Sequence, residues 1–179
     1  NKSGAVEYEK EHIPGALFFD IDAISDRSTD LPHMLPAPEF FANAVGAMGI
    51  SNADNVVVYD AHGIFSAPRV WWMFRAFGHD KVAVLNGGLP AWKNARGETR
   101  SGNEKPETTP FRARFQPQMV VDKAAVQDAS DSGGRIILDA RSPSRFSGEE
   151  PEPRPGLKSG SIPGSFNVHY RNLLEDNGH

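Results

Sequence analysis

The sequence predicts an α/β fold in which short, mainly parallel strands form a central sheet that helices flank. Two observations carry this prediction. The β-branched runs NVVVYD (55–60) and KVAVL (81–85) are each followed by a segment typical of a helix. The turn-and-strand motif HIPGALFFD (12–20) also returns near the other end of the chain as SIPGSFNVH (161–169). Alternation of strands and helices is typical of βαβ units, and the repeated motif indicates two copies of one unit.

The first copy should begin with a helix end in EYEKEH (7–12) and turn at Pro14-Gly15. The segment ALFFDID (16–22) then predicts a buried strand, and the polar stretch SDRSTDLPHMLPAP predicts a loop. A helix should begin at Pro38 and stop at Gly49, because the apolar side chains between them recur at helical spacing.

The run NVVVYD predicts a strand buried on both faces that ends at Asp60. The following apolar stretch APRVWWMFRAFGH predicts a buried helix, capped by Ser66 and closed by Gly78. KVAVL supplies another strand, and a further helix should open after the NGG turn in LPAWKNA (89–95).

Residues 100–118 break this rhythm and predict a linker, since they are rich in Pro, Thr, Glu and Arg and show no period. Residues 1–99 would then form one domain and residues 119–179 the beginning of another. The second region restarts with the helix VDKAAVQDAS and the strand RIILDAR before its Ile-Pro-Gly turn. The first copy lacks an opening strand and the second lacks its central strand, so we expect a chain cut at both ends.

The composition is ordinary for a globular protein: 179 residues, 39% hydrophobic and 23% charged, with a formal net charge of −4. The basic residues form no block, so nucleic acid is not an expected partner. No apolar run approaches the roughly 18 residues of a membrane span, so no membrane partner is expected. The chain contains no cysteine, which excludes disulfides and cysteine–metal sites within it. The histidines show no ligand spacing, and no metal site is predicted.

Six motifs together resemble the tandem-domain rhodanese superfamily, and in particular its members that use 3-mercaptopyruvate. They are HIPGALFFDID, SDRSTDLPHMLP, VVVYDAHGIFSAPRVWWMFRAFGH, NGGLPAW, DARSPSRFSGEEPEPR and SGSIPGSFNV. The resemblance implies a rhodanese-like fold with a non-catalytic first domain (1–99) and a second domain whose loop carries a catalytic cysteine. That cysteine would lie beyond His179, so this chain alone is expected to be inactive.

The resemblance implies a sulfurtransferase that works without a metal or organic cofactor. A thiolate would take sulfane sulfur from 3-mercaptopyruvate as a persulfide, release pyruvate and pass the sulfur to a thiol acceptor or cyanide. Thioredoxin is an implied partner, and the remaining C-terminal segment is a further expected one if it accompanies this chain as a separate chain. Cytoplasm and mitochondrion are both compatible with the sequence. Two alternatives stay open: thiosulfate as the preferred donor, and a binding or regulatory module without turnover.

Arg145 and Arg154 are the candidate substrate-binding residues. A planar guanidinium pairs with a carboxylate through two hydrogen bonds, although arginines in a polar loop are more often solvated or ion-paired. The resemblance implies that both bind the carboxylate and carbonyl of the substrate. Relatives that prefer thiosulfate tend to lack the arginine matching Arg154.

Asp22 and His33 are the candidate catalytic pair, in which a carboxylate orients an imidazole that handles a proton. From the residues alone, a loop histidine is more often structural, and Asp20 competes with Asp22 for this role. The resemblance implies that the pair lies beside the cysteine across the domain interface.

Asp60 stands at the position where the resemblance places a catalytic cysteine, and a carboxylate cannot carry transferable sulfur. We interpret Asp60 as a strand-end residue that accepts hydrogen bonds from loop N–H groups, with Arg69 as a structural partner for Asp60 or Asp26.

Overall fold

The computed structural model describes residues 4–154 and 156–175, and the chain divides into two compact units. Unit 1 ends at Met119 and unit 2 begins at Val120. The assignment of domains with a separate linker stays a prediction. None of the described helices is long and apolar enough to cross a membrane.

Unit 1 contains a βαβ arrangement flanked by further helices. Strands β1 and β2 pair in parallel, with Val56 opposite Val82 and Val58 opposite Val84, and one helix connects them. This confirms the predicted α/β fold. In chain order the elements are α1 (Gly4–Lys10), α2 (Pro38–Ala47), β1 (Val56–Val58), α3 (Ala67–Ala76), β2 (Val82–Val84), α4 (Gly88–Asn94) and a 3-10 turn (Pro117–Met119).

An aromatic cluster forms the core of unit 1. The ring of Phe41, from α2, stacks on Phe77 at 4.4 Å between centroids and meets Phe74 of α3 edge-on at 5.3 Å. Phe111 lies in the segment predicted to be a linker, yet its ring packs edge-on against Phe41 and Phe74. Backbone N–H groups of the same segment donate to carbonyls of unit 1, as from Arg114 to Phe77. Residues 100–118 therefore lack regular structure over most of their length but pack on unit 1.

Unit 2 is built around a two-residue parallel pair of strands. Leu138 lies opposite Phe166, and Asp139 opposite Asn167. The helix α5 begins after Asp122, whose carboxylate accepts a hydrogen bond from the Ala125 N–H at 2.8 Å. The elements are α5 (Lys123–Ser132), β3 (Leu138–Asp139), α6 (Pro143–Ser147), β4 (Phe166–Asn167) and a 3-10 turn (Tyr170–Leu173).

The two Ile-Pro-Gly motifs form the same turn in both units. The Ala16 N–H donates to the Ile13 carbonyl at 2.9 Å, and the Ser165 N–H donates to the Ile162 carbonyl at 3.1 Å. The turn glycines have φ of +78° at Gly15 and +75° at Gly164, the left-handed value that a type II turn requires at this position. The repeat is therefore one structural element used twice, as predicted.

The two copies differ after the turn, and two strand predictions are wrong. In unit 2 the turn leads into β4, which pairs with the earlier strand β3. In unit 1 the described residues before the turn form α1, so residues 16–20 have no such neighbour and form no strand. The face of β1 that carries Val57 is also uncovered: Val57 is 61% exposed and lines a cavity of about 1560 Å³.

Candidate active site

A buried carboxylate organises the loop that follows β1. Asp60 accepts four backbone hydrogen bonds, three of them from consecutive residues that lead into α3. The N–H donors are His62 at 2.9 Å, Phe65 at 2.7 Å, Ser66 at 2.9 Å and Ala67 at 3.0 Å. The side chain of Ser66 makes no capping hydrogen bond. Ser66 thus occupies the predicted N-cap position of α3, but the carboxylate at the strand end, rather than the Ser66 hydroxyl, accepts the N–H group of the first helical residue, Ala67.

The Asp60 carboxylate is nearly buried, and its charge is balanced by hydrogen-bond donors. Burial favours the neutral acid, but the four N–H donors more than offset it, so the pKa of Asp60 lies below its ordinary value. The residue is 8% exposed, and both of its oxygens are engaged. This confirms the interpretation of Asp60 as a strand-end residue that accepts loop N–H bonds.

His33 and Asp22 form a direct pair in unit 1. The His33 Nε2 lies 2.5 Å from Asp22 Oδ1, and both side chains are exposed. His33 has a φ of +58°, and its carbonyl accepts a hydrogen bond from the Arg69 Nη2 at 2.5 Å. The imidazole is thus held on one side by its carboxylate, while its backbone is held by an arginine of α3.

The geometry separates Asp22 from its competitor Asp20. The Asp20 Oδ1 accepts the N–H groups of Asp22 and Ala23, each at 3.0 Å, and closes the turn after residue 20. Turn closure by Asp20 presents the side chain of the next acidic residue, Asp22, to the imidazole of His33. Asp22, His33 and Asp60 line the same cavity of about 1560 Å³.

Arg69 does not make either of the ion pairs predicted for it. Besides its bond to the His33 carbonyl, its guanidinium lies over the Trp72 ring, 4.6 Å from the centroid. The Asp26 carboxylate accepts the Ser28 N–H, and Asp60 accepts backbone donors. Since both carboxylates have local donors, Arg69 instead links α3 to the loop that carries His33.

In unit 2, Arg145 lies in α6 and pairs with Glu152 in the following loop. The Arg145 Nε donates to Glu152 Oε1 at 3.2 Å, and its Nη2 donates to Oε2. The Glu152 side chain is only 6% exposed. Hydrogen bonds from Arg145 and then Arg141 hold the pKa of Glu152 below its usual range, and the same pairing raises the pKa of Arg145.

Arg141 connects Glu152 to the end of β3. Its Nη1 donates to Glu152 Oε1 at 2.6 Å, while its Nε and Nη2 hold the Asp139 carboxylate at 2.5–3.0 Å. The Nη2 also donates to the Gly160 carbonyl at 2.8 Å. Asp139, Arg141, Arg145 and Glu152 form a charge network in which two cations balance two anions. Sequence analysis missed Asp139, Arg141 and Glu152. The only signals were an Asp-Ala-Arg sequence at a strand end and three acidic residues between the two candidate arginines, none of them distinguished from the others.

Arg154 follows Glu152 by two residues and is exposed. Among residues 4–154 and 156–175, no hydrogen bond or ion pair involves its side chain. Unit 2 thus contains one ion-paired and one exposed candidate arginine. In the described part of the chain, no three His, Asp or Glu side chains are placed to hold a metal ion.

Comparison with known proteins places these features in a family. The family model of the rhodanese-like domain matches residues 3–95. The chain is 44% identical to the 3-mercaptopyruvate sulfurtransferase of Homo sapiens, covering 96% of this chain and 59% of that protein. It is also 44% identical to the enzyme of the same name from Escherichia coli K12, covering 98% and 63% of the two chains. A third relative, from Arabidopsis thaliana, is named thiosulfate/3-mercaptopyruvate sulfurtransferase 1, mitochondrial; it is 47% identical, covering 94% and 50%.

Solved structures agree with the sequence comparison. The crystal structure of SseA from Escherichia coli, described as a 3-mercaptopyruvate sulfotransferase with the rhodanese fold, superposes with a TM-score of 0.89 at 41% identity. The superposition covers 98% of this chain and 66% of the SseA chain. The Tum1 protein of Saccharomyces cerevisiae superposes with a TM-score of 0.90 at 34% identity, covering 99% and 62%. The chain spans between half and two thirds of the length of the curated relatives above. The matched family model and the shared fold agree on one assignment: the chain belongs to the family of rhodanese-like domains.

Proposed function

We propose that the protein to which this chain belongs is a sulfurtransferase that uses 3-mercaptopyruvate as its donor and releases pyruvate. The observation that carries this proposal is 44% identity, over nearly the whole chain, to proteins curated as 3-mercaptopyruvate sulfurtransferases in two distant organisms. The exposed Arg154 and the partly open Arg145 support it, because a 2-keto acid offers a carboxylate and a carbonyl to paired guanidinium groups.

The proposed reaction consists of two sulfur transfers. A cysteine thiolate attacks the donor sulfur, the carbon–sulfur bond breaks, and its electron pair forms the enolate of pyruvate, which then takes up a proton. The resulting persulfide gives its outer sulfur to an acceptor thiolate or to cyanide, and the cysteine thiolate is restored. The 179 residues contain no cysteine, so in this proposal the nucleophile lies outside them.

Asp22 and His33 have the proposed role of a proton relay. An imidazole with a carboxylate 2.5 Å from its Nε2 is held in one orientation, and its other nitrogen remains as the group that can exchange a proton. The imidazole would either give a proton to the enolate of pyruvate or take a proton from the cysteine thiol. The exposure of the pair supports this proposal, since a buried histidine could not reach a substrate.

The experiment compares turnover of 3-mercaptopyruvate and thiosulfate by the full-length protein and by its Arg154→Ala variant. Loss of a charged hydrogen-bond partner should lower kcat/KM for 3-mercaptopyruvate by roughly 10- to 100-fold. Arg135→Ala is the matched control, since Arg135 is an exposed arginine of unit 2 outside the charge network. Unchanged turnover of 3-mercaptopyruvate in the Arg154 variant would refute the substrate role of Arg154.

The same assay tests thiosulfate as the preferred donor. This second candidate is supported by similarity to a relative named thiosulfate sulfurtransferase, from Cricetulus griseus, at 42% identity. A higher kcat/KM for thiosulfate than for 3-mercaptopyruvate in the unmodified protein would favour it. No turnover of either donor would favour a binding module. The 179-residue chain by itself should transfer no sulfur.

Thioredoxin is the proposed acceptor, because a dithiol can take the persulfide sulfur and release it as sulfide while forming its own disulfide. Oxidation of reduced thioredoxin in step with pyruvate release would support this partner. The compartment is proposed to be the mitochondrion or the cytoplasm, and fluorescent tagging of the full-length protein distinguishes the two.

A further inference from the structure

We infer that Glu152 is a positioning residue for the substrate site: it holds one edge of the Arg145 guanidinium and leaves the other edge free for a carboxylate ligand. This inference rests on the proposed function of Arg145. Glu152 would not contact the substrate itself but would act by holding Arg145, which does contact it.

Burial sets Glu152 apart from the loop that contains it. Its neighbours from Glu149 to Arg154 are exposed, whereas the Glu152 side chain is 6% exposed. A buried carboxylate requires partners, and Glu152 has two arginines: Oε1 accepts from Arg141 and Arg145, and Oε2 accepts from Arg145. The inward carboxylate therefore fixes the loop to the charge network at a point two residues before Arg154.

The hydrogen bonds of Arg145 leave a defined part of its guanidinium unused. Glu152 occupies the side edge formed by Nε and Nη2. Within residues 4–154 and 156–175, the Nη1 of Arg145 makes no hydrogen bond, and the side chain is 28% exposed. The end edge formed by Nη1 and Nη2 can thus accept a second carboxylate in the paired geometry that guanidinium groups favour.

Arg141 shows what a fully occupied arginine looks like in the same network. Its Nε and Nη2 bind Asp139, its Nη1 binds Glu152, and its Nη2 also binds the Gly160 carbonyl. All three of its nitrogens are used, so Arg141 is structural. Glu152 accepts hydrogen bonds from both arginines. Arg141 has no nitrogen left for a ligand, whereas Arg145 keeps one edge of its guanidinium open.

The two ways in which Glu152 could affect substrate binding have opposite signs: its negative charge would weaken binding of an anion, whereas its positioning of Arg145 would strengthen it. Removing a carboxylate near an anionic substrate should strengthen binding if the repulsion between the two negative charges dominates. If positioning dominates, Arg145 loses its fixed edge and binding weakens, because misplacement of a binding group by about 1 Å is enough to lose much of its contribution. The sign of the effect therefore distinguishes the two.

The test is Glu152→Gln in the full-length protein, assayed with 3-mercaptopyruvate. We expect KM to rise about tenfold with little change in kcat, since Arg145 would bind the substrate carboxylate equally in the ground and transition states. Glu150→Gln is the matched control, because Glu150 is exposed and accepts from the Ser144 Oγ rather than from an arginine. Partial unfolding would lower kcat through loss of active protein and leave KM unchanged.

A double-mutant cycle ties the effect to Arg145. In an Arg145→Ala background, Glu152→Gln should change KM less than twofold, because the positioned group is already gone. An undiminished effect in that background, or an unchanged or lower KM for Glu152→Gln alone, would overturn the inference.

A second readout needs no turnover and separates this inference from the proposed function. In the unmodified chain, the Arg145 Nε–H should give a distinct NMR resonance that exchanges slowly with solvent, and Glu152→Gln should abolish the slow exchange. If 3-mercaptopyruvate proves not to be a donor, the proposed function fails but this readout still decides whether Glu152 holds Arg145. Unaltered exchange in the variant would refute the positioning role.

Discussion

Unit 1 and unit 2 share an α/β pattern but are stabilised by different interactions. Every buried apolar side chain of the described residues belongs to unit 1, apart from Ala129. On the strands of unit 2 the large apolar side chains are exposed, by 63% at Leu138 and 62% at Phe166. The same turn and a parallel pair of strands thus occur once beside an aromatic core and once almost without buried apolar surface.

Polar contacts connect the described elements of unit 2. Arg141 links Asp139 to Glu152, and the Asn167 side chain donates to the carbonyls of Asp139 and Arg141 at 2.9–3.0 Å. Hydrogen bonds and ion pairs contribute far less net stability than burial of large aromatic side chains. The comparison teaches that, among the described residues, charged side chains can hold a site together where few apolar side chains are buried.

The largest predicted effect is a core truncation in unit 1. Phe74→Ala should lower the free energy of unfolding by about 3–5 kcal/mol, because Phe74 is 1% exposed and four aromatic rings surround it. Phe166→Ala in unit 2 should cost less than about 1 kcal/mol. All three tryptophans lie in unit 1, so their fluorescence during urea unfolding reports on that unit, and hydrogen exchange follows unit 2. Equal costs in the two units would contradict the comparison.

The next effect concerns the carboxylate that caps α3. Asp60→Ala leaves four N–H groups without their acceptor and should cost unit 1 about 3 kcal/mol. Asp80→Ala is the control: its carboxylate is 79% exposed beside Arg75, and its loss should cost less than about 1 kcal/mol. Thermal unfolding followed by fluorescence measures both. A similar cost for the two variants would show that the Asp60 bonds add nothing to stability.

Acid should weaken the hydrogen bonds between the Asp60 carboxylate and the backbone N–H groups. The pKa of Asp60 is depressed in the folded protein, so its ionised form binds the N–H groups and the unfolded chain takes up a proton first. The stabilisation is therefore complete above an ordinary carboxyl pKa of about 4 and is lost as pH falls through the lower folded value. Asp60→Asn should flatten the decline in unit 1 stability below about pH 4. An unchanged acid profile in this variant would assign the decline to other carboxylates.

Local features of this fold were predictable from sequence, and long-range pairings were not. The helices around Pro38 and Gly78 and both Ile-Pro-Gly turns follow from residues whose own backbone preferences determine the conformation. The strand predicted at residues 16–22 is wrong, although the sequence itself indicates that the first copy lacks its opening strand. Without a neighbour to pair with, an apolar run does not form a strand. Val57 has a paired neighbour in β2 but is 61% exposed, because its face of β1 is uncovered in the described residues.

The candidate site shows the same limit. The resemblance to the rhodanese superfamily, rather than the residues alone, indicated Asp22, His33, Arg145 and Arg154. Only the coordinates show that Asp20 closes a turn while Asp22 meets the imidazole of His33. Ser66 was the expected cap because caps are usually adjacent in sequence, and Asp60 replaced it from six residues away. Glu152 was overlooked since nothing local distinguishes an inward glutamate from the exposed acidic residues beside it.

The smallest predicted effect tests whether the two turns are equivalent. Gly15→Ala and Gly164→Ala place a side chain at φ of +78° and +75°, and an added Cβ would meet no atom within 4 Å at either position. The cost is then conformational alone, about 1 kcal/mol in each unit. Fluorescence-detected unfolding of unit 1 and hydrogen exchange of unit 2 measure the two values. Because the turns have the same geometry and the units have unequal cores, similar costs would show that the turn is an autonomous element. A markedly larger cost at Gly15 would instead show that the core of unit 1 constrains its turn.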